Sequence, residues 1–93
     1  MPSVEIVVPA NWRTVAGHEL GDLSCEVDTV GAALQWLIAE HPQFGRRMFD
    51  GSGRLASWVN VYLGGENVRD LTALETAIRK DATLIIVPAM AGG

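Results

Sequence analysis

Hydrophobic and polar positions alternate from the start of the chain: Val4, Ile6 and Val8 fall on one side, Glu5 and Val7 on the other. This period of two predicts a strand over Ser3 to Pro9, with Pro9 as its stop. Asn11 to Gly21 has no convincing period and carries Gly17 and Gly21, which makes it a turn region. It leads to a second alternating run, Leu23, Cys25 and Val27, so the two runs form a β-hairpin with a long loop. The period then changes. After a candidate cap at Asp28 or Thr29, the residues Val30, Ala33, Leu34, Leu37 and Ile38 recur at helical spacing until Pro42 closes the segment. Gln35, Ala39 and Glu40 face away from that stripe, and Trp36, off its centre, flanks the core.

Phe44 to Phe49 reads as a short helix or turn, followed by a loop, Asp50-Gly51-Ser52-Gly53, loosened by two glycines. Trp58 to Leu63 is a strand, Gly64-Gly65-Glu66-Asn67 a turn, and Val68 the start of a short edge segment. Leu71 to Ile78 holds a helical turn, and Ala82 to Val87 is the last strand. Phase alone leaves open whether Trp58 and Tyr62, or Val59, Val61 and Leu63, face outward. The first and last strands are both rich in branched apolar residues and pair side by side in the middle of a mixed sheet. The expected architecture is α+β, a sheet of four to five strands with one main helix across one face: the β-grasp, or ubiquitin-like, arrangement. Beyond the last strand a hinge, Pro88-Ala89-Met90-Ala91, carries Gly92 and Gly93 in a flexible C-terminal tail.

The 93 residues suit a single domain spanning the whole chain, and 48% hydrophobic content is ample for one core. No apolar run is long enough to cross a bilayer and Met1-Pro2-Ser3-Val4-Glu5 lacks the basic region of a signal peptide, so the chain reads as cytoplasmic. Seven basic against eleven acidic residues leave a net charge of -4 without a basic cluster, and nucleic-acid binding has no electrostatic footprint. A single cysteine, Cys25, excludes an intrachain disulfide and any multi-cysteine metal centre; in phase with Leu23 and Val27, it reads as a small buried hydrophobe.

Catalytic machinery is not legible. His18 lies in a loop and His41 at a helix end, neither in a nucleophile triad or at metal-ligand spacing. Gly51-Ser52-Gly53-Arg54 and Gly64-Gly65-Glu66 lack the phosphate-loop pattern and read as turns. The tail remains. A carboxylate must be activated before it can donate an acyl group, usually by attack on a nucleotide phosphate to give an acyl-adenylate. Gly92 and Gly93 carry no Cβ to obstruct entry into a narrow site on another protein, and Pro88 limits the freedom lost on docking.

The stretches Trp58-Val59-Asn60-Val61-Tyr62, Glu66-Asn67-Val68-Arg69 and Pro88-Ala89-Met90-Ala91-Gly92-Gly93 resemble the small ubiquitin-like sulfur carriers, a family that includes the molybdopterin-synthase small subunit and the thiamine-pathway carrier. The element order matches over essentially the whole chain, and the ending is most similar to the actinobacterial carriers of cysteine synthesis. Met90 stands where related tails usually carry Val. The resemblance implies a protein cosubstrate rather than an enzyme. An ATP-using E1-like enzyme adenylates Gly93, sulfur replaces the adenylate to give a thiocarboxylate, and Pro88, Ala89, Met90, Ala91 and Gly92 thread into partner active sites. In cysteine synthesis the acceptor is a PLP-dependent synthase and a zinc metallopeptidase releases the product, so ATP, PLP and zinc belong to partners and this chain binds no cofactor. Molybdopterin, thiamine or a secondary metabolite as the sulfur's destination, or attachment of the chain to other proteins, are the alternatives. By the same resemblance Leu84 and Ile86 are core residues, leaving Val87 on the open face as a docking contact beside the tail.

Overall fold

The computed structural model describes residues 1–10, 12 and 23–88. Strands β1 (Ser3–Val7) and β2 (Ser24–Glu26) form the expected antiparallel hairpin, and helix α1 spans Val30–Glu40. Strands β3 (Val59–Leu63), β4 (Glu66–Asn67) and β5 (Ala82–Pro88) complete a sheet ordered β2-β1-β5-β3-β4. The first and last strands are parallel neighbours at its centre, and the other pairings are antiparallel. This is the β-grasp arrangement. Val4, Ile6, Val59, Val61, Leu84 and Ile86 on one face of the sheet are buried in one cluster with Val30, Ala33, Leu34 and Leu37 of α1. Among the described residues no helix is long and apolar enough to cross a membrane.

Of the two candidate caps, Thr29 is the one used: its Oγ1 accepts the Ala32 N–H at 3.1 Å, an arrangement typically worth about 1 kcal/mol. The first turn of α1 is tied down further by the segment before β5. Val30 N–H donates to the Thr76 carbonyl at 3.0 Å, and Ile78 N–H to that of Asp28 at 2.8 Å. A Cβ at Gly31 would lie 2.9 Å from the Leu74 carbonyl oxygen, closer than real contacts allow. Gly31→Ala is therefore expected to destabilise the fold by about 1–3 kcal/mol, the usual cost of overpacking, read as a lower urea midpoint with an unchanged slope.

Pro42 ends α1 and opens a 3-10 turn, Pro42–Phe44, that runs into a one-turn helix, Gly45–Met48. This is the short helical segment the sequence predicts after Pro42. It buries Phe44 and Met48 completely. Trp12, which the sequence places in a loop, belongs to the core: it is buried, with its ring centroid 5.2 Å from that of Phe44. The rest of the predicted turn region, Asn11 and residues 13–22 with His18, lies outside the described residues. In the glycine loop the Asp50 carboxylate accepts from the Ser52 hydroxyl and from the Ser52 and Arg54 amides, which holds its carboxyl below the usual range and closes the turn.

Three expectations need correction. Gly64 and Gly65 both adopt positive φ, 59° and 87°, which closes the β3–β4 turn in two residues. Glu66 thus already pairs with Leu63, and the edge strand is Glu66–Asn67, whereas Val68 starts a 3-10 turn and is buried. Pro88 is the last residue of β5, opposite Val59, and not the first residue of a hinge. Cys25 points to the core side as its phase implies but is only half-buried, because β2 is an edge strand.

Burial pushes the Cys25 thiol up, so the folded chain holds less thiolate than the unfolded chain at the same pH. Alkylation by iodoacetamide at mildly alkaline pH is expected to be slower in the folded chain than in urea, with the gap closing as pH rises. The sign for stability follows. The contribution is fully present below the ordinary thiol pKa and is lost as pH climbs through the raised one.

Candidate functional site

Strand β5 leads to the C-terminal segment, so its last residues set where that segment leaves the body. Directly paired residues share a face, and the register therefore sorts the side chains. Asn60 pairs with Val87, Tyr62 with Ile85, and Val7 with Ile85 across the parallel pair, all on the face opposite α1. Val61 pairs with Ile86 on the helix side and is buried. The orientation that phase left open is thereby settled: Val59 and Val61 face α1, while Asn60 and Tyr62 face outward.

On this open face Val87 is 37% exposed, as the docking expectation requires. It is joined by Ile85, 42% exposed, and Val7, 39% exposed. Sequence reasoning named Val87 alone, although Ile85 has the same parity on the same strand. Three branched apolar residues with Tyr62 thus form a patch at the sheet centre, running toward Pro88. Such a patch can bury apolar surface against a partner.

Just before β3, Trp58 is 51% exposed, with its indole N–H donating to the Arg47 carbonyl at 3.2 Å. The motif residues Asn60, Asn67 and Arg69 form a polar cluster. Asn60 Oδ1 accepts from Asn67 Nδ2 at 3.2 Å and from Arg69 Nε at 3.3 Å. Arg69 Nη2 donates to the Val59 carbonyl at 2.7 Å and to the Ala56 carbonyl. Asn67 Oδ1 in turn accepts the Arg69 N–H at 3.0 Å, capping the 3-10 turn Val68–Asp70. The motif that marks the family resemblance is, physically, a lock on the beginning of β3. Ala89, Met90, Ala91, Gly92 and Gly93 lie outside the described residues.

The sequence profile of the ThiS family matches residues 6–93. The chain belongs to the ThiS family. This ThiS-family chain is 34% identical over 93 residues to the sulfur carrier protein CysO of Mycobacterium tuberculosis, covering 98% of itself and 99% of that protein. Among solved structures it resembles SAMP1 from Haloferax volcanii, with a TM-score of 0.77 and 33% identity over 98% of this chain and 99% of that one. It also resembles a chain in the crystal structure of the Amycolatopsis orientalis BexX/CysO complex, with a TM-score of 0.77 and 30% identity over 97% of this chain and 99% of that one. A β-grasp body with an apolar open face running to the C-terminal end of β5 is thus the frame of a ThiS-family protein.

Proposed function

We propose that this chain is a ubiquitin-like sulfur carrier whose working group is the carboxylate of Gly93, and that it is a protein cosubstrate rather than a catalyst. The observation that carries the reading is the family match running through Gly92 and Gly93, on a chain that covers 99% of a relative named as a sulfur carrier. A carboxylate oxygen of Gly93 attacks the α-phosphorus of ATP on an E1-like enzyme, and pyrophosphate leaves. A sulfide-level nucleophile then attacks the acyl carbon, AMP leaves, and the terminus becomes a thiocarboxylate. Substituting sulfur for oxygen gives a soft nucleophile that a carboxylate is not. Cysteine synthesis is the favoured destination, since the relative just described is a CysO protein. The acceptor is then a PLP-dependent synthase, and a zinc metallopeptidase frees the product. ATP, PLP and zinc reside in those partners.

In this reading β5, ending at Pro88, presents Ala89, Met90, Ala91 and Gly92 to partner sites, with Val87, Ile85 and Val7 as the docking patch. The test is the intact mass of the chain after coexpression with its host's activating enzyme, with ATP and sulfide supplied. Exchange of one oxygen for one sulfur, localised to the terminal fragment containing Gly93, is the expected result. An unchanged mass with an enzyme that demonstrably consumes ATP on another carrier overturns the proposal.

A second reading has its own observation: the likeness to SAMP1, a small archaeal modifier protein. The same activated terminus can acylate a lysine of another protein. Covalent adducts of this chain in cell extract, absent when Gly93 is deleted, are what that reading expects.

A further inference from the structure

We infer that Arg69 is a positioning residue for the C-terminal segment: its guanidinium stands in for a missing edge strand and thereby fixes the end of β5 from which Gly92 and Gly93 are presented. This rests on the carrier reading above and deepens it. The argument begins with an incomplete sheet edge. β4 has only two residues, which pair with Tyr62 and Leu63, so the beginning of β3 has no strand on its outer side. Yet Val59 and Asn60 are the residues that hold Pro88 and Val87 on the inner side. A β3 free to fray on one edge would let the last pairs of β5 fray with it, and the point at which the chain leaves the sheet would no longer be fixed.

Arg69 closes that gap. Its Nη2 donates to the carbonyls of Ala56 and Val59, and its Nε to the side chain of Asn60. One rigid fork thus grips three points of a five-residue segment. Charge-assisted bonds of this kind are roughly twice as strong as neutral ones, and the planar guanidinium reaches several acceptors at once, which an ammonium does not. Asn67 orients the fork from both ends, through the Arg69 amide and through the shared Asn60 oxygen. Pro88, with no N–H of its own, makes outside support for this corner of the sheet more important.

The prediction separates positioning from docking. A carrier with a loosened β3–β5 corner still meets its enzyme through Val7 and Ile85, which lie outside that corner, but its carboxylate spends less time in line with the α-phosphate of ATP. Arg69→Met is expected to lower the kcat of adenylation by roughly 10-fold or more while KM changes little, because small misplacements of reacting atoms carry large rate losses. Arg69→Lys, which restores charge but not the fork, should recover only part of that. Arg46→Met, at another exposed arginine, should match the unmodified chain. Amide exchange measured alongside should speed up at Val87 and Val61 in Arg69→Met but not at Ile6 in β1.

If the unmodified chain is not adenylated, the carrier reading falls and this inference with it. If the unmodified chain is adenylated and Arg69→Met has the same kcat at a temperature where both are folded, only the positioning role of Arg69 is overturned. A loss of melting temperature with unaltered kcat is likewise a rejection, since it marks the clamp as purely structural.

Discussion

A chain lacking Gly93 is expected to melt where the full chain melts and to be inert toward its activating enzyme. The two halves of that expectation have separate causes. The buried core described here runs from Val4 to Ile86, so removing the last residue takes nothing from it and unfolding should be unaffected. Chemistry is another matter. One residue spans about 3.3–3.6 Å of extended chain, and a reacting pair must approach within about 3–3.5 Å. A carboxylate moved back by one residue therefore falls short of the α-phosphate by about a whole reacting distance, and Pro88, held opposite Val59, limits how far the segment can advance to compensate. The loss should be at least about 100-fold in activation. ATP–pyrophosphate exchange and intact mass check it together. A truncated chain that still gains sulfur places the acyl group elsewhere and removes Gly93 from the site.

Much of the body was legible because the strands and helix announce themselves locally. Val4, Ile6 and Val8 keep a period of two, and the α1 stripe keeps its helical spacing, so both follow from sequence without knowledge of partners. β3 was ambiguous for a physical reason: Val59, Val61 and Leu63 compete with Trp58 and Tyr62, and both parities are apolar. Only the pairing of Val61 with Ile86 on the helix side decides between them. Trp12 was missed because no periodicity surrounds it, and its burial depends on Phe44, far along the chain.

The proposed site has a different standing: Gly92 and Gly93 suggest a chemistry in sequence, without what would steer it. Arg69 drew notice only as part of a motif, since its bonds reach back to Ala56, Val59 and Asn60 and carry no local pattern. A hint was available. A Glu-Asn-Val-Arg run directly after a two-glycine turn leaves little room for a long edge strand, and an arginine beside an unfinished edge has backbone carbonyls to find. Ile85 was open to the same parity argument that singled out Val87.

Replacing both Ile85 and Val87 with Asp is expected to raise KM for activation by about 100-fold, close to 3 kcal/mol, with kcat and melting temperature much less affected. Both side chains lie on the open face, so the core loses no contact when they become polar. Strand preference opposes Asp at each site, though by no more than about 1 kcal/mol. The partner's apolar surface, in contrast, must then desolvate two carboxylates or leave a gap at the centre of the interface, where truncations have their largest effects. The added negative charge needs its own control. Gln35→Glu with Ala39→Glu places the same two charges on the outward side of α1, away from the proposed contact. An equal rise in KM for both pairs would mean that long-range repulsion, rather than contact, accounts for the effect. A rise confined to the Ile85 and Val87 pair assigns docking to the open face. It would also explain why a strand whose inner residues are Leu84 and Ile86 keeps branched apolar residues on its exposed side, where solubility alone favours polar ones.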